Sequence, residues 1–239
     1  MESIAEEVGR DDRAEDRRHT RRPDCPNVPG PGLIPLRPAF VLRAFGSRDG
    51  GAVSVTGPDH HEHGESELSS TIDWRVRAET AADIPAIHEI NVAAFERADE
   101  AELVDALRDD PAWIDGLSIV STLPDDTPVG FALLTRCHVH TTPALCLGPC
   151  AVLPGYQKTG AGSAAIRAAL AAAARMGERF VIVLGHPAYY PRFGFGRASE
   201  HGIGLTIDVP DEALMALTLD PAQPLPRGTV RYAAPFGID

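Results

Sequence analysis

The chain has 239 residues, 44% hydrophobic and 23% charged, enough apolar material for one well-buried domain with chain to spare. A formal net charge of -12 argues against a broad nucleic-acid-binding face and admits a cationic or amine-bearing substrate, although acidity also simply keeps a chain in solution. No apolar stretch approaches bilayer-spanning length, and the acidic, arginine-rich start lacks the apolar segment of a signal peptide.

Residues 1–70 mix charge clusters, Pro/Gly punctuation and polar runs, and read as a disordered or poorly packed extension, or as a translation start assigned too far upstream. Asp59, His60, His61, Glu62 and His63 have metal-ligand residue types, but with nothing to orient them they read as solvated loop. The four cysteines, Cys25, Cys137, Cys146 and Cys150, form no C-x-x-C pair. The last three fall in candidate core strands, the pattern of a reduced cytoplasmic protein.

From there the pattern predicts a strand over residues 72–77 and a helix that opens on a capping box at Thr80 and Asp83 and runs to Phe95. Ile84, Ile87, Ile90 and Val92 approximate one face of that helix, and a second helix covers residues 99–108. Strands over residues 117–123 and 129–140 form a hairpin around Pro124, Asp125 and Asp126. An apolar strand from Leu145, an alanine-rich helix over residues 162–176 and a β-branched strand over residues 180–185 make one crossover unit. A short helix (187–193), a strand (203–209), a helix (211–217) and a last strand (228–232) complete the chain. Hairpins plus one crossover imply an α+β fold, a mostly antiparallel sheet with helices on both faces.

The segment between that apolar strand and the alanine-rich helix carries the chemistry. Gln157, Lys158, Thr159, Gly160, Ala161, Gly162 and Ser163 form a glycine-bearing loop that opens a helix. Such a loop leaves backbone N–H groups pointing outward at the positive end of the helix dipole, a seat for phosphate or pyrophosphate. It is not a P-loop, because Lys158 precedes both glycines, and it lacks the third glycine of a dinucleotide fingerprint. Lys158 is the only lysine in the chain, which suits it to a phosphate, though arginine-for-lysine usage is also a common compositional bias. What remains is Q-x-x-G-x-G after a strand.

This hexapeptide resembles the acetyl-CoA pyrophosphate loop of the GNAT N-acetyltransferase superfamily. The same superfamily carries a Y-x-x-x-G-F element just after the following strand, and Tyr190 to Phe195 matches it in order and separation. The array LGPCAVLPGYQKTGAG followed by PAYYPRFGF is similar to the YhbS-type branch, and DEAELVDALR, DVPDEALMAL and GTVRY extend the resemblance from about Trp74 to the C-terminus.

The resemblance implies a GNAT domain over residues 71–239 whose central strands splay in a V, with acetyl-CoA as acyl donor, no metal, and a small-molecule or peptide amine as acceptor. It implies that Cys150 and Val152 offer main-chain groups to pantetheine, the Gly148-Pro149 break marking the bulge. A backbone N–H near Cys150 or Ala151 would meet charge on the thioester oxygen, and Gln157 to Ser163 would hold the pyrophosphate. Tyr190 takes the position of the acid that protonates the departing thiolate, with Tyr189 as a packing residue. The general base stays open among Glu96, Glu100, Glu102, His138, His140 and His186, or water alone. A catalytically silent acyl-CoA sensor and a scaffold using residues 210–239 are the alternative functions. No membrane partner is expected, and a homodimer is one open oligomeric state.

Overall fold

The computed structural model describes residues 73–238. The expected N-terminal extension, Cys25 and the acidic-histidine run at residues 59–63 lie outside them.

β1 (Arg75–Ala78) leads into a 3-10 turn (Ala81–Asp83) and then α1 (Ile84–Phe95). The capping box forms as the sequence anticipates, with the Asp83 carboxylate accepting the Thr80 backbone N–H at 2.7 Å. Arg77 adds two donors to the same carboxylate, at 2.6 and 2.9 Å. Ile87 and Ile90 of α1 are buried, whereas Ile84 and Val92 are half-buried. Asn91 takes a fully buried position, its amide donating to the Ile87 carbonyl at 2.9 Å. α2 (Asp99–Arg108) has acidic residues in its first turn and Arg108 in its last, as the helix dipole favours.

β2 (Ser118–Thr122), β3 (Pro128–Val139) and β4 (Thr142–Val152) are consecutive antiparallel neighbours. α3 (Ala161–Arg175) crosses over to β5 (Phe180–Leu184), which lies parallel to β4. β6 (Gly196–Arg197), β7 (Ile203–Gly204), β8 (Leu214–Thr218) and β9 (Gly228–Arg231) follow. The sheet order is β1-β2-β3-β4-β5-β8-β6, with β9 pairing β3 and β7.

Strand alternation divides the core between two faces. Phe131, Leu133, Cys146 and Ile182 pack with α1 and α2, while Ala132, Leu134, Leu145 and Val181 pack with α3. The small buried side chains Ala165, Ala169, Ala172 and Ala173 let α3 lie close on the sheet. Helices therefore cover both faces of a mostly antiparallel sheet, the architecture anticipated from sequence.

The C-terminal section differs from expectation. The predicted helix over residues 211–217 is one 3-10 turn (Asp211–Ala213) followed by β8. Glu212, Ala213, Leu214, Met215 and Ala216 are good helix formers, but every residue of β8 pairs with β5, from Leu184↔Leu214 to Phe180↔Thr218. Non-local pairing and burial on both faces outweigh the local preference. The strand expected over residues 203–209 shrinks to β7, whose only ladder is Ile203↔Gly228 and Gly204↔Thr229. The short helix expected over residues 187–193 is a 3-10 turn, Tyr190–Phe193. Of the candidate bases His138 and His140, only His138 lies on a strand: β3 ends at Val139, and His140 turns the chain at φ 53°.

Two irregularities shape the middle of the sheet. Ala132 pairs Cys150 while Leu134 pairs Leu147, so β4 carries an extra residue at the Gly148-Pro149 step. This bulge reverses the alternation: Cys146 faces α1, yet Cys150, four residues on, turns toward α3, and it is Ala151 that faces α1. Meanwhile β4 and β5 pair only at Leu145↔Val181 and Cys146↔Ile182. Beyond Cys146 the strands part company, β4 staying with β3 and β5 with β8. The V-shaped splay expected from the resemblance is present.

Candidate active site

At the splay lies a cleft of about 950 Å3. Its lining draws on both core faces, with Ile166, Cys150 and Tyr190 from the α3 side and Ala94, Tyr232 and Phe236 from the α1 side. The cleft thus connects the two faces of the sheet.

On the α3 side, the loop after β4 makes a 3-10 turn (Pro154–Tyr156) and reaches α3 through Gly160 at φ 100°, a conformation that disfavours any side chain. The first bond into the helix runs from Ala164 N–H to the Gly160 carbonyl at 2.9 Å. The N–H groups of Ala161, Gly162 and Ser163 therefore have no partner within the helix. Lys158 is exposed and sits at φ 64°. The loop is fixed from outside: Trp74 Nε1 donates to the Thr159 carbonyl at 3.1 Å, and the Thr159 hydroxyl donates to the Tyr156 carbonyl at 2.6 Å. The Gln157 amide donates to the Val152 carbonyl at 3.3 Å, which occupies one lone pair of a carbonyl expected to face pantetheine. A Cβ on Gly162 would stand 2.9 Å from Val152 Cγ2, so glycine there lets the helix start abut the strand.

Tyr190 stands at the junction of strand and loop. Its ring meets Tyr189 edge-on at 5.3 Å and Phe195 at 5.9 Å. Gly185 leaves room for it, since a Cβ there would collide with the ring. The Tyr190 hydroxyl and the Cys150 thiol are neighbours in the wall of the cleft. Burial holds the tyrosine well above its ordinary pKa of 10.0 and pushes the thiol up to about 12, so both keep their protons at neutral pH. Tyr189 also lines the cleft, and it is more than packing: its hydroxyl lies 3.1 Å from Ser163 Oγ, tying the aromatic motif to the start of α3.

Of the open base candidates, Glu96, Glu100 and His186 line the cleft; Glu102, His138 and His140 do not. Glu100 is 2% exposed and paired with Arg97. Ala151, Cys150 and Val152 all line the cleft, as does Gly162. Sequence reasoning missed Phe95, Arg97, Glu212, Tyr232, Phe236 and Ile238 in the lining, and the role of Trp74. No local pattern marks them, because tertiary folding alone brings the α1–α2 loop and the chain end to β4. Among the described residues no group of three His, Cys, Asp or Glu is placed to hold a metal ion.

A parallel strand pair that splays beside a glycine-opened helix is the arrangement expected of an acyl-CoA-dependent acyltransferase. Comparison with known proteins agrees. The profile of the acetyltransferase (GNAT) family matches residues 84–195. Over 165 residues the chain is 34% identical to the uncharacterized N-acetyltransferase YjhQ of Escherichia coli K12, covering 64% of this chain and 89% of that protein. In structure it is similar to Escherichia coli YhbS in complex with CoA, with a TM-score of 0.64 and 26% identity over 74% of this chain and 96% of that one. A GNAT acetyltransferase of Brucella melitensis in complex with acetyl-CoA superposes with a TM-score of 0.57 and 29% identity, over 68% and 97% of the two chains. The chain belongs to the GNAT family of N-acetyltransferases, in its YhbS-like branch.

Proposed function

We propose that the protein moves the acetyl group of acetyl-CoA directly to a primary amine, with both substrates bound at once. The observation that carries this reading is the cleft through the sheet. It joins the start of α3 on one face to the wall of α1, α2 and the chain end on the other, with Tyr190 between.

The N–H groups of Ala161, Gly162 and Ser163, with Gln157, Lys158, Thr159 and Gly160 before them, form the pyrophosphate seat. Main-chain groups of Cys150 and Val152 hold the pantetheine arm along the free edge of β4. Bound there, acetyl-CoA supplies an activated thioester carbonyl. A backbone N–H at Cys150 or Ala151 stabilises charge developing on its oxygen. The neutral amine bonds to the carbonyl carbon, the C–S bond breaks, and the Tyr190 hydroxyl gives its proton to the departing sulfur. Burial keeps the proton on the Tyr190 oxygen at neutral pH, so the hydroxyl is present as a donor when the sulfur departs. The amine's own proton leaves toward the carboxylates and water at the α1 end of the cleft.

Residues 71–239 are the catalytic domain in this reading. A cytoplasmic location suits it: Cys137 and Cys146 are buried as free thiols and Cys150 is half-buried. The test is release of free thiol from acetyl-CoA in the presence of amines. Turnover that vanishes in Tyr190→Phe while CoA affinity persists supports the assignment. Unchanged turnover in that variant removes Tyr190 as the acid, and CoA binding without turnover against any amine favours a silent sensor.

A further inference from the structure

The α1 end of the cleft has a composition that selects among amines; this inference rests on the acetyltransferase reading and names its acceptor. Phe95, Leu184, Phe236 and Ile238 give apolar walls. Tyr232 packs against Phe236 with ring centroids 5.3 Å apart, is 8% exposed, and its hydroxyl has no hydrogen-bond partner among the described residues.

The lining contains one arginine, Arg97, and no lysine. The charge of Arg97 is already taken. Its Nε donates to Glu100 Oε2 at 3.0 Å, its Nη2 binds Glu100 Oε1, and its Nη1 lies 3.4 Å from Asp99. The Glu100 side chain is only 2% exposed, so the pair is fixed and largely dry. By contrast Glu96 and Glu212 line the cleft as exposed carboxylates that form no ion pair among the described residues.

We propose that the acceptor is a small monoamine with an apolar body, an alkyl- or arylalkylamine that arrives as a cation and carries no carboxylate or phosphate. The outer carboxylates draw a cation in. The apolar walls then strip its water, which lowers the amine's pKa toward the neutral form that attacks. A carboxylate on the acceptor would be buried without a cation to meet it, since Glu100 holds Arg97. The second charge of a polyamine would lie against Phe236 and Ile238.

Thiol release by the full-length protein tests this with 2-phenylethylamine, phenylalanine and spermidine. The expected kcat/KM for 2-phenylethylamine exceeds those of the other two by about tenfold or more. Ile238→Arg, at a half-buried position, places a cation in the chamber. It should raise the KM for 2-phenylethylamine and narrow its advantage over phenylalanine by about tenfold, with CoA affinity by calorimetry unchanged. A wild-type preference for phenylalanine or spermidine, no turnover of 2-phenylethylamine while another amine is acetylated, or an unchanged ratio in Ile238→Arg overturns the acceptor class alone. Absence of CoA binding by the wild-type protein overturns the acetyltransferase reading beneath it.

Discussion

The surroundings of Tyr190 fit the acid role proposed for it. Its ring is fixed by Tyr189, Phe195 and the open space over Gly185, and the Cys150 thiol lies beside its hydroxyl. Tyr190→Phe should lower kcat by about a hundredfold or more with little change in CoA affinity. Cys150 shares the α3 side of the sheet with Tyr190 because the bulge turns its side chain that way, which lets the thiol position the hydroxyl in the proposed mechanism. Cys150→Ala should therefore cost about three- to tenfold in kcat, the size of one neutral hydrogen bond, and Cys150→Ser should restore most of it. Equal rates in the alanine and serine variants would show that the thiol has no positioning role. The pH profile gives a separate check. Because burial raises the tyrosine's pKa above 10.0, the proton-donating form persists through alkaline pH. The rate should rise with pH as the amine deprotonates, with no decline below about pH 10. A decline between pH 8 and 9 would point to a different acid.

At the scale of elements, the loop before α3 depends on an anchor distant in sequence. Trp74 Nε1 holds the Thr159 carbonyl, and its ring meets Tyr156 edge-on at 6.1 Å. Trp74→Ala should raise the Kd for CoA about three- to tenfold although the residue lies outside the cleft lining, a shift that titration calorimetry resolves. The opening of α1 behaves differently, because its cap is ionic. Arg77 hydrogen bonds hold the Asp83 carboxyl down at about 2, below its ordinary 3.8. A depressed carboxyl stabilises the fold above the unfolded value, and that contribution is lost as pH falls from about 4 toward 2. Asp83→Asn should lower stability at pH 7 by about 1–2 kcal/mol and flatten the acid limb of a melting-temperature profile. An unchanged acid limb would contradict the assignment.

The same elements show what sequence could and could not disclose. Gln157 to Ser163 and Tyr190 to Phe195 stand out because their chemistry is local: glycine where the backbone must turn, and an aromatic run after a buried strand. α2 is legible to the residue because its periodicity and terminal charges agree. β8 is not, because its local preference for helix is overridden by pairing with β5, and the two-residue ladders of β6 and β7 leave too little pattern to read. The acceptor chamber is silent for a related reason. Phe95, Arg97, Glu212, Phe236 and Ile238 come from separate segments, and only the closed sheet brings them to one place.

For the molecule as a whole, the fold builds a passage through a sheet otherwise closed by helices on both sides. The bulge in β4 and the early end of its pairing with β5 open that passage, and the start of α3 stands at one mouth. A chain beginning at residue 71 should retain full turnover, because every group assigned a role lies beyond that point; a loss of activity would give the first 70 residues a part in the site. The most direct test of the account is titration calorimetry of CoA into the intact protein and into Gly162→Val. The wild-type protein should bind one equivalent with a Kd in the range of about 1–100 μM. The variant, whose Cβ would press on Val152, should lose at least about tenfold in affinity while keeping its melting temperature within a few degrees. No binding by the wild-type protein, or equal binding by both, would contradict the site.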